Sequence, residues 1–133
     1  MPTDTDFRRI ALGFEGALES SHMGHPDFRA HGRIFVTLQH DRAWGGLMLT
    51  PDQQRRFMKD DPDSFKPAAG AWGVGGATLV HLPSVDEESL GEAITMAFQN
   101  AAAKAAAKKT TGAGGAERAG KAGRAGKAGR KKR

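Results

Sequence analysis

The sequence predicts an α+β domain in which an antiparallel meander sheet carries packed N- and C-terminal helices, followed by a disordered basic C-terminal tail. Three observations predict this fold class. Helical spacing of apolar residues marks both ends of the domain, strand-like runs follow one another between those ends, and the composition changes abruptly in the last third of the 133 residues. We place the α+β domain at residues 1–109 and the low-complexity tail at residues 110–133.

The first predicted element is a capped helix. Thr3 and Asp6 have the spacing of a capping box, and apolar residues then recur at helical intervals, which predicts a helix over residues 4–13. Glycines end this pattern, and the extended stretch at residues 17–23 is predicted to form the first strand.

Further strands are predicted to follow without an intervening helix. The His31-Gly32 pair lies inside a β-prone run over residues 28–38, which predicts a tight hairpin. Residues 42–46 contain two glycines and predict a second turn ahead of a strand at residues 47–49. Because no helix separates these strands, they predict a meander.

A second helix and the remaining strands complete the predicted sheet. The segment Thr50-Pro51-Asp52-Gln53 combines a hydroxyl cap, a proline at the first helical position and a capping-box glutamine, which predicts a helix over residues 51–59. Glycine-separated runs then predict short strands at residues 65–67, 71–74 and 77–82.

The last helix is predicted from a second capping-box spacing. Ser84 and Glu87 precede an acidic first turn, and the alanine-rich run at residues 101–109 extends the helix until Thr110-Thr111-Gly112 stops it. The apolar stripe that should pack on the sheet consists of Leu90, Ala93, Ile94, Ala97, Phe98 and Ala101.

The charge of the chain is divided unevenly between domain and tail. Residues 1–100 contain nine Lys/Arg and fourteen Asp/Glu, whereas residues 101–133 contain eleven Lys/Arg and one Glu. The folded part is therefore mildly acidic, and the positive charge is concentrated near the C-terminus. Glycine, alanine and basic residues beyond Gly112 offer nothing to bury in a core, which predicts disorder there.

Composition excludes several classes of function. The chain has no cysteine, which excludes disulfides, thiolate metal sites and thiol nucleophiles. The N-terminus is acidic, unlike a signal peptide, and no apolar run reaches the length that spans a bilayer, so a cytoplasmic protein without a membrane partner is predicted. The glycine-rich segment 73–76 lacks the lysine of a P-loop, and no cofactor is predicted.

Three histidines near the first hairpin admit two interpretations. His22, His25 and His31 are spaced so that a loop and a hairpin could bring their rings to one zinc or nickel ion. The alternative is structural, because no carboxylate completes a ligand motif and a histidine before a proline is often a hydrogen-bonded strand-entry residue. We favour the structural interpretation and predict no metal site, no catalytic residue and no enzymatic activity.

A set of motifs occurs in an order that is typical of one family. These motifs are Gly24-His25-Pro26-x-Phe28-Arg29, Gly32-Arg33-Ile34-Phe35 and Trp72, between an N-terminal helix and an amphipathic C-terminal helix. Over roughly residues 7–100 the chain resembles the MmcQ/YjbR family. The resemblance implies a compact frataxin-like α+β fold with paired hairpins described as a double wing, and members of the family are commonly labelled DNA-binding.

The residues that would bind nucleic acid lie in two regions. Arg29 and Arg33 border the first predicted hairpin turn, and Arg42 and Trp44 border the second, where they could contact phosphates and stack on a base. The alternative is a solvated rim with Trp44 packed onto the sheet. In the tail, eight basic residues are expected to bind phosphates without reading sequence: Arg118, Lys121, Arg124, Lys127, Arg130, Lys131, Lys132 and Arg133.

The sequence thus predicts a non-catalytic protein that binds nucleic acid, DNA rather than RNA, mainly through its tail. A second interpretation stays open. The sheet face, or the groove beside the last helix, could bind another protein, and the tail would then only improve solubility.

Overall fold

The computed structural model describes residues 2–22, 24–39 and 43–113 of the chain. The predicted α+β class is confirmed, with one antiparallel sheet between an N-terminal and a C-terminal helix. The elements in chain order are α1 (Asp4–Leu12), β1 (Leu18–His22), β2 (His25–Ala30), β3 (Arg33–Leu38), β4 (Trp44–Met48), α2 (Pro51–Asp60), β5 (Phe65–Pro67), α3 (Gly70–Val74), β6 (Ala77–His81) and α4 (Glu87–Ala113).

The six strands form one sheet in the order β1-β2-β3-β4-β6-β5, and every neighbouring pair is antiparallel. The first four strands follow one another as the meander that the sequence predicts. β6 then pairs with β4, and the three-residue β5 lies at the sheet edge. This edge strand ends at Pro67, which cannot donate a backbone hydrogen bond and so discourages further strand addition.

One face of the sheet, which we call the core face, carries the buried apolar side chains. Residues directly opposite one another share a face, and a row across four strands comprises Phe28, Val36, Leu47 and Thr78. All four are fully buried. Burying a large apolar side chain contributes roughly 1.5–3 kcal/mol, so this face supplies most of the stability.

A β-bulge in β3 adds a further aromatic residue to the core. Val36 lies opposite Phe28 and Ile34 lies opposite Arg29, which leaves Phe35 as the extra residue between them. Phe35 is fully buried beside the ring of Phe98 in α4, at 5.4 Å between centroids. The bulge therefore explains how Phe35 and Val36, which are neighbours in β3, both belong to the hydrophobic core.

The helix caps follow the sequence in α1 and α2 but not in α4. Capping boxes at Thr3 and Thr50 are confirmed. The predicted Ser84–Glu87 box is wrong, because Asp86 caps α4 by accepting a hydrogen bond from the Ser89 backbone N–H at 2.7 Å. The Ser84 hydroxyl lies 2.8 Å from the Ser64 hydroxyl instead, in the turn before α4.

The buried stripe of α4 agrees with the prediction, and its end does not. Leu90, Ile94 and Ala97 are fully buried, and Phe98 packs partly against the same core. The helix continues through Thr110–Gly112 to Ala113, since one glycine costs only about 1 kcal/mol after an alanine-rich run that favours helix. The predicted disorder of the tail beyond Ala113 lies outside the described residues.

Two glycines of β4 contradict the turn that was predicted for residues 42–46. A Cβ atom on Gly45 would lie 2.4 Å from the Phe7 ring of α1, and one on Gly46 would lie 2.5 Å from the Thr37 hydroxyl. The glycines therefore permit close approach on opposite faces of a strand that begins at Trp44. A Gly-Gly pair predicts a turn when only the neighbouring sequence is considered. In this fold, packing against distant residues places the pair in a strand.

The strand predicted at residues 71–74 is also wrong, because these residues belong to the short helix α3. Gly70 enters this helix with φ +67°, a conformation that favours glycine. Gly73 packs against the Ala68 backbone so closely that a Cβ atom would lie 1.9 Å from the Ala68 carbonyl oxygen.

None of the helices in the described ranges combines the length and apolar character needed to cross a bilayer.

Candidate functional site

The face opposite the core face, which we call the second face, carries polar and charged side chains. Its central row crosses five strands and consists of Asp27, Thr37, Gly46, Leu79 and Lys66. The row passes from a buried carboxylate on β2 to an exposed lysine on the edge strand β5. Polar and charged groups are therefore found on the second face, whereas the core face is covered by packed apolar side chains.

A groove of about 320 Å³ lies on the second face beside α3. β3, β4 and β6 form its floor, and Ala68, Ala69 and the Trp72 side chain of α3 form a wall. The volume is at the lower end of the roughly 300–1,000 Å³ that small-molecule sites occupy. The groove is also lined by Thr37, Gln39, Met48 and Leu79.

Gly46 lies in the floor of the groove, where neighbouring polar groups leave no room for a side chain. A Cβ atom there would lie 2.5 Å from the Thr37 hydroxyl and 3.7 Å from the Gln39 amide nitrogen. Both polar groups therefore border the space above Gly46. Within residues 2–22, 24–39 and 43–113, neither side chain has a hydrogen-bond partner. The hydroxyl and the amide are each able to donate to and accept from a bound group.

Two tryptophans flank the groove region. Trp72 is 72% exposed, and Val74 on the same helix is 82% exposed. Trp44, by contrast, is half-buried: its ring centroid lies 4.6 Å from that of His81, and the Lys66 ammonium lies 4.3 Å from the ring centroid. Trp44 thus packs onto the sheet, and the cation–π contact places a positive charge beside it.

Arg29 lies on the second face and forms an ion pair with Asp27. Its Nε and Nη2 donate to the two carboxylate oxygens of Asp27 at 2.8 and 3.1 Å. The hydrogen bonds to Asp27 raise the pKa of the Arg29 guanidinium above its usual value. The Asp27 side chain is fully buried, whereas that of Arg29 is 44% exposed. This arrangement holds the guanidinium rigidly and leaves part of it accessible.

The predicted contact residues of the domain are only partly brought together. Arg29 lies opposite Ile34 and Arg33 opposite Ala30, so the two arginines lie on different faces of their hairpin. Trp44 is on the second face, as is Arg29. Arg42 lies outside the described residues. So do the predicted tail contacts Arg118, Lys121, Arg124, Lys127, Arg130, Lys131, Lys132 and Arg133.

The metal interpretation of the three histidines fails on distance. His25 begins β2 and His31 follows its last residue, which separates them by about 16 Å of strand rise. The His31 ring instead lies 5.6 Å from that of Phe98. The side chain of His22 lies outside the described residues, and among the described side chains no group of three His, Cys, Asp or Glu could hold a metal ion.

Sequence reasoning missed most of the groove. The sequence indicates Trp72 only as a motif of the family resemblance. It does not indicate Thr37, Gln39 or Lys66 as binding residues. The available signal was the polar alternation at the end of β3, where Thr37 and the next residue after the strand, Gln39, flank the buried Leu38. That alternation places both residues on one face, but it does not show that Gly46 and Trp72 border the same space.

Comparison with known proteins shows the fold alone. No protein-family model matches the chain, and no curated protein matches it. One solved structure is similar: Deinococcus radiodurans protein DR2400, which carries a DUF419 domain. The two chains share 20% sequence identity at a TM-score of 0.64, over 74% of this chain and 77% of that chain.

Proposed function

We propose that this protein binds nucleic acid without catalysis and without sequence preference, and that its basic C-terminal tail supplies most of the affinity. The observation that carries the proposal is the charge division, with eleven Lys/Arg against one Glu over residues 101–133 and nine against fourteen over residues 1–100. Cations that displace counterions from phosphates give affinity without base readout. We further propose DNA as the principal target and the cytoplasm as the location.

The ion pairs of the domain support the proposal that the tail, and not the domain, supplies most of the affinity. An arginine that already contacts a carboxylate gains little from a phosphate, because it exchanges one ion pair for another. Five arginines of the described residues are in this position. The pairs are Arg8 with Glu19, Arg9 with Asp6 and Glu87, Arg29 with Asp27, Arg55 with Asp52, and Arg56 with Glu92.

The composition of the tail points the same way. Residues 101–133 contain a single acidic side chain, Glu117, so the segment's own side chains cannot neutralise its positive charge. The eight Lys/Arg from Arg118 to Arg133 therefore form the largest excess of cations in the chain. Partners with a regular array of phosphates suit such a segment best.

We also infer that the domain belongs to the MmcQ/YjbR family, with its hairpins as a double wing. The similar structure carries a DUF419 domain, and that domain is grouped with the MmcQ/YjbR-like family. The motifs around His25, Gly32 and Trp72 support the same inference. In this proposal the hairpins add contacts to a complex that the tail holds, with Trp44 and the exposed part of Arg29 as the described contributors. The contribution of Arg29 is the smaller one, because its guanidinium already pairs with Asp27.

The test compares the full-length protein with a tail-neutral variant in which the eight Lys/Arg from Arg118 to Arg133 are replaced by glutamine. Fluorescence anisotropy with a labelled DNA duplex at low salt should show binding for the native chain and a loss of at least about 100-fold for the variant. A shuffled tail of identical composition is the matched control and should bind as the native tail does. Undiminished binding by the tail-neutral variant contradicts the proposal.

Protein interaction is a second candidate function, favoured by the exposure of two apolar side chains on α3. Trp72 and Val74 are more than two-thirds exposed, which is unusual for residues of their size. This candidate predicts that neutralising the tail leaves partner binding intact, so the same variant separates the two functions.

A further inference from the structure

The groove on the second face has an aromatic wall and polar groups at its floor. We propose that it binds one unpaired base of a single-stranded nucleic acid. This inference rests on the proposed nucleic-acid function and adds to it a discrete site on the domain. It also predicts a preference for single strands over duplexes, which the tail alone does not supply.

The aromatic wall is suited to stacking. Trp72 lines the groove and is 72% exposed, so a large apolar ring remains in contact with solvent. A nucleobase placed against this ring would remove both apolar surfaces from water. Stacking of this kind tolerates every base, since each base has a π face. The site therefore agrees with a protein that reads no sequence.

The floor offers hydrogen bonds to a base edge. The Thr37 hydroxyl and the Gln39 amide border the space above Gly46, and neither has a partner among the described side chains. Each can donate and accept, so their pattern can match the exposed edge of any base. A purely apolar ligand would leave both groups without hydrogen bonds inside the groove, which disfavours its binding.

The charge around the groove favours a phosphate-linked ligand. None of the described residues that line it is an aspartate or a glutamate. Lys66 lies opposite Leu79, which is part of the floor, and neighbouring strands are about 4.8 Å apart. In the free protein its ammonium lies 4.3 Å from the centroid of the Trp44 ring, which is outside the groove lining. We expect the lysine side chain to leave this contact and turn to a phosphate attached to a bound base.

A base within a duplex is paired on its edge and stacked on both faces, so it cannot enter this groove. Flipping such a base out costs a few kcal/mol, whereas a single strand offers unpaired bases. Single strands should thus bind to both the tail and the groove. Duplexes should bind to the tail alone.

The test uses the full chain with Trp72→Ala and, as a matched control, Val74→Ala, which removes an equally exposed apolar side chain of α3 outside the groove. Affinity is measured for a labelled oligothymidylate of about 12 nucleotides, within the usual site sizes of single-strand binders, and for a duplex of the same length. Trp72→Ala should weaken single-strand binding about 10-fold and leave duplex binding unchanged. Val74→Ala should change neither.

A second measurement observes the groove directly. The chain contains two tryptophans and no tyrosine, so Trp72 is the only strong fluorophore in the Trp44→Phe variant. Oligothymidylate should quench its emission, and the duplex should leave it nearly unchanged. Absence of quenching, with the oligonucleotide bound, overturns the inference.

The outcomes distinguish this inference from the function on which it rests. If the native chain binds neither polymer at low salt, the proposed function fails and the groove proposal fails with it. If the chain binds both and Trp72→Ala weakens neither, or weakens both equally, only the groove proposal is overturned. A change in the sedimentation of the free protein on Trp72→Ala would identify a second copy as the occupant and also overturn it.

Discussion

The two faces of the sheet differ in what their side chains do, although neighbouring residues of each strand supply both. On the core face, the row from Phe28 to Thr78 is fully buried. On the second face, Thr37, Gly46 and Leu79 of the central row line a groove, and the row ends in the exposed Lys66. The core packing and the groove lining therefore come from alternate residues of the same strands.

This separation follows from the period of a β-strand. Successive side chains point to opposite faces, so substitutions at every second position can change the second face while the core face stays intact. Gly45 and Gly46 are neighbours that lie on opposite faces. Gly45 faces the Phe7 ring, and Gly46 faces the Thr37 hydroxyl. The two positions provide a direct comparison of the faces.

The largest expected difference is between Gly45→Ala and Gly46→Ala. The new Cβ at position 45 meets a fully buried aromatic ring in a packed core, and we expect a loss of about 2 kcal/mol in the free energy of unfolding. At position 46 the neighbour is a hydroxyl at the groove, and we expect less than about 1 kcal/mol together with a smaller groove. Urea denaturation at constant m-value measures both losses.

The comparison has a clear contrary result. Equal losses of stability at the two positions would mean that the second face is packed as tightly as the core face. The groove would then not be an open site, and single-strand binding by Gly46→Ala should match that of the native chain.

A smaller effect is expected at the N-terminus of α1, away from both faces. The Thr3 backbone N–H, the Arg9 guanidinium and the Thr3 hydroxyl all bond to the Asp6 carboxylate and lower its pKa below 3.8. The ionised form therefore stabilises the fold above about pH 3.8, and this contribution disappears as the pH falls through the lower pKa of the folded state. Asp6→Asn should be less stable than the native chain at pH 7, and the difference should shrink below pH 3.8.

Thermal melting at pH 7 and pH 3 checks this expectation, with Asp63→Asn as the control because Asp63 is exposed in the turn before β5. A difference between Asp6→Asn and the native chain that is the same at both pH values would contradict the account of this cap.

The elements that the sequence predicted well depend on local signals. Thr3 with Asp6, and Thr50 with Gln53, lie three residues apart and form their capping boxes within one helical turn. The His31-Gly32 hairpin is local in the same sense, and both residues have positive φ values, +56° and +75°. Such features need no information from distant parts of the chain.

The failures have the opposite character. Position 45 has no room for a side chain because the Phe7 ring lies against it, and position 73 has none because the Ala68 carbonyl lies against it. Neither requirement for glycine can be predicted from the neighbouring residues in the sequence. The groove is harder still, because Thr37, Gly46 and Trp72 come from three elements and meet only in the folded sheet. The sequence therefore indicates the fold class and the charge division, and the structure adds the site.

The central claim is that the tail, and not the folded domain, supplies the attraction to nucleic acid. The most direct measurement is the slope of log affinity against log salt for a DNA duplex, with the native chain and with the tail-neutral variant. The account predicts a slope that approaches about −7 for the native chain, the limit for eight cations, and a much shallower slope for the variant, which keeps only Lys104, Lys108 and Lys109 of the basic residues in that segment. An identical slope for the two proteins would contradict it.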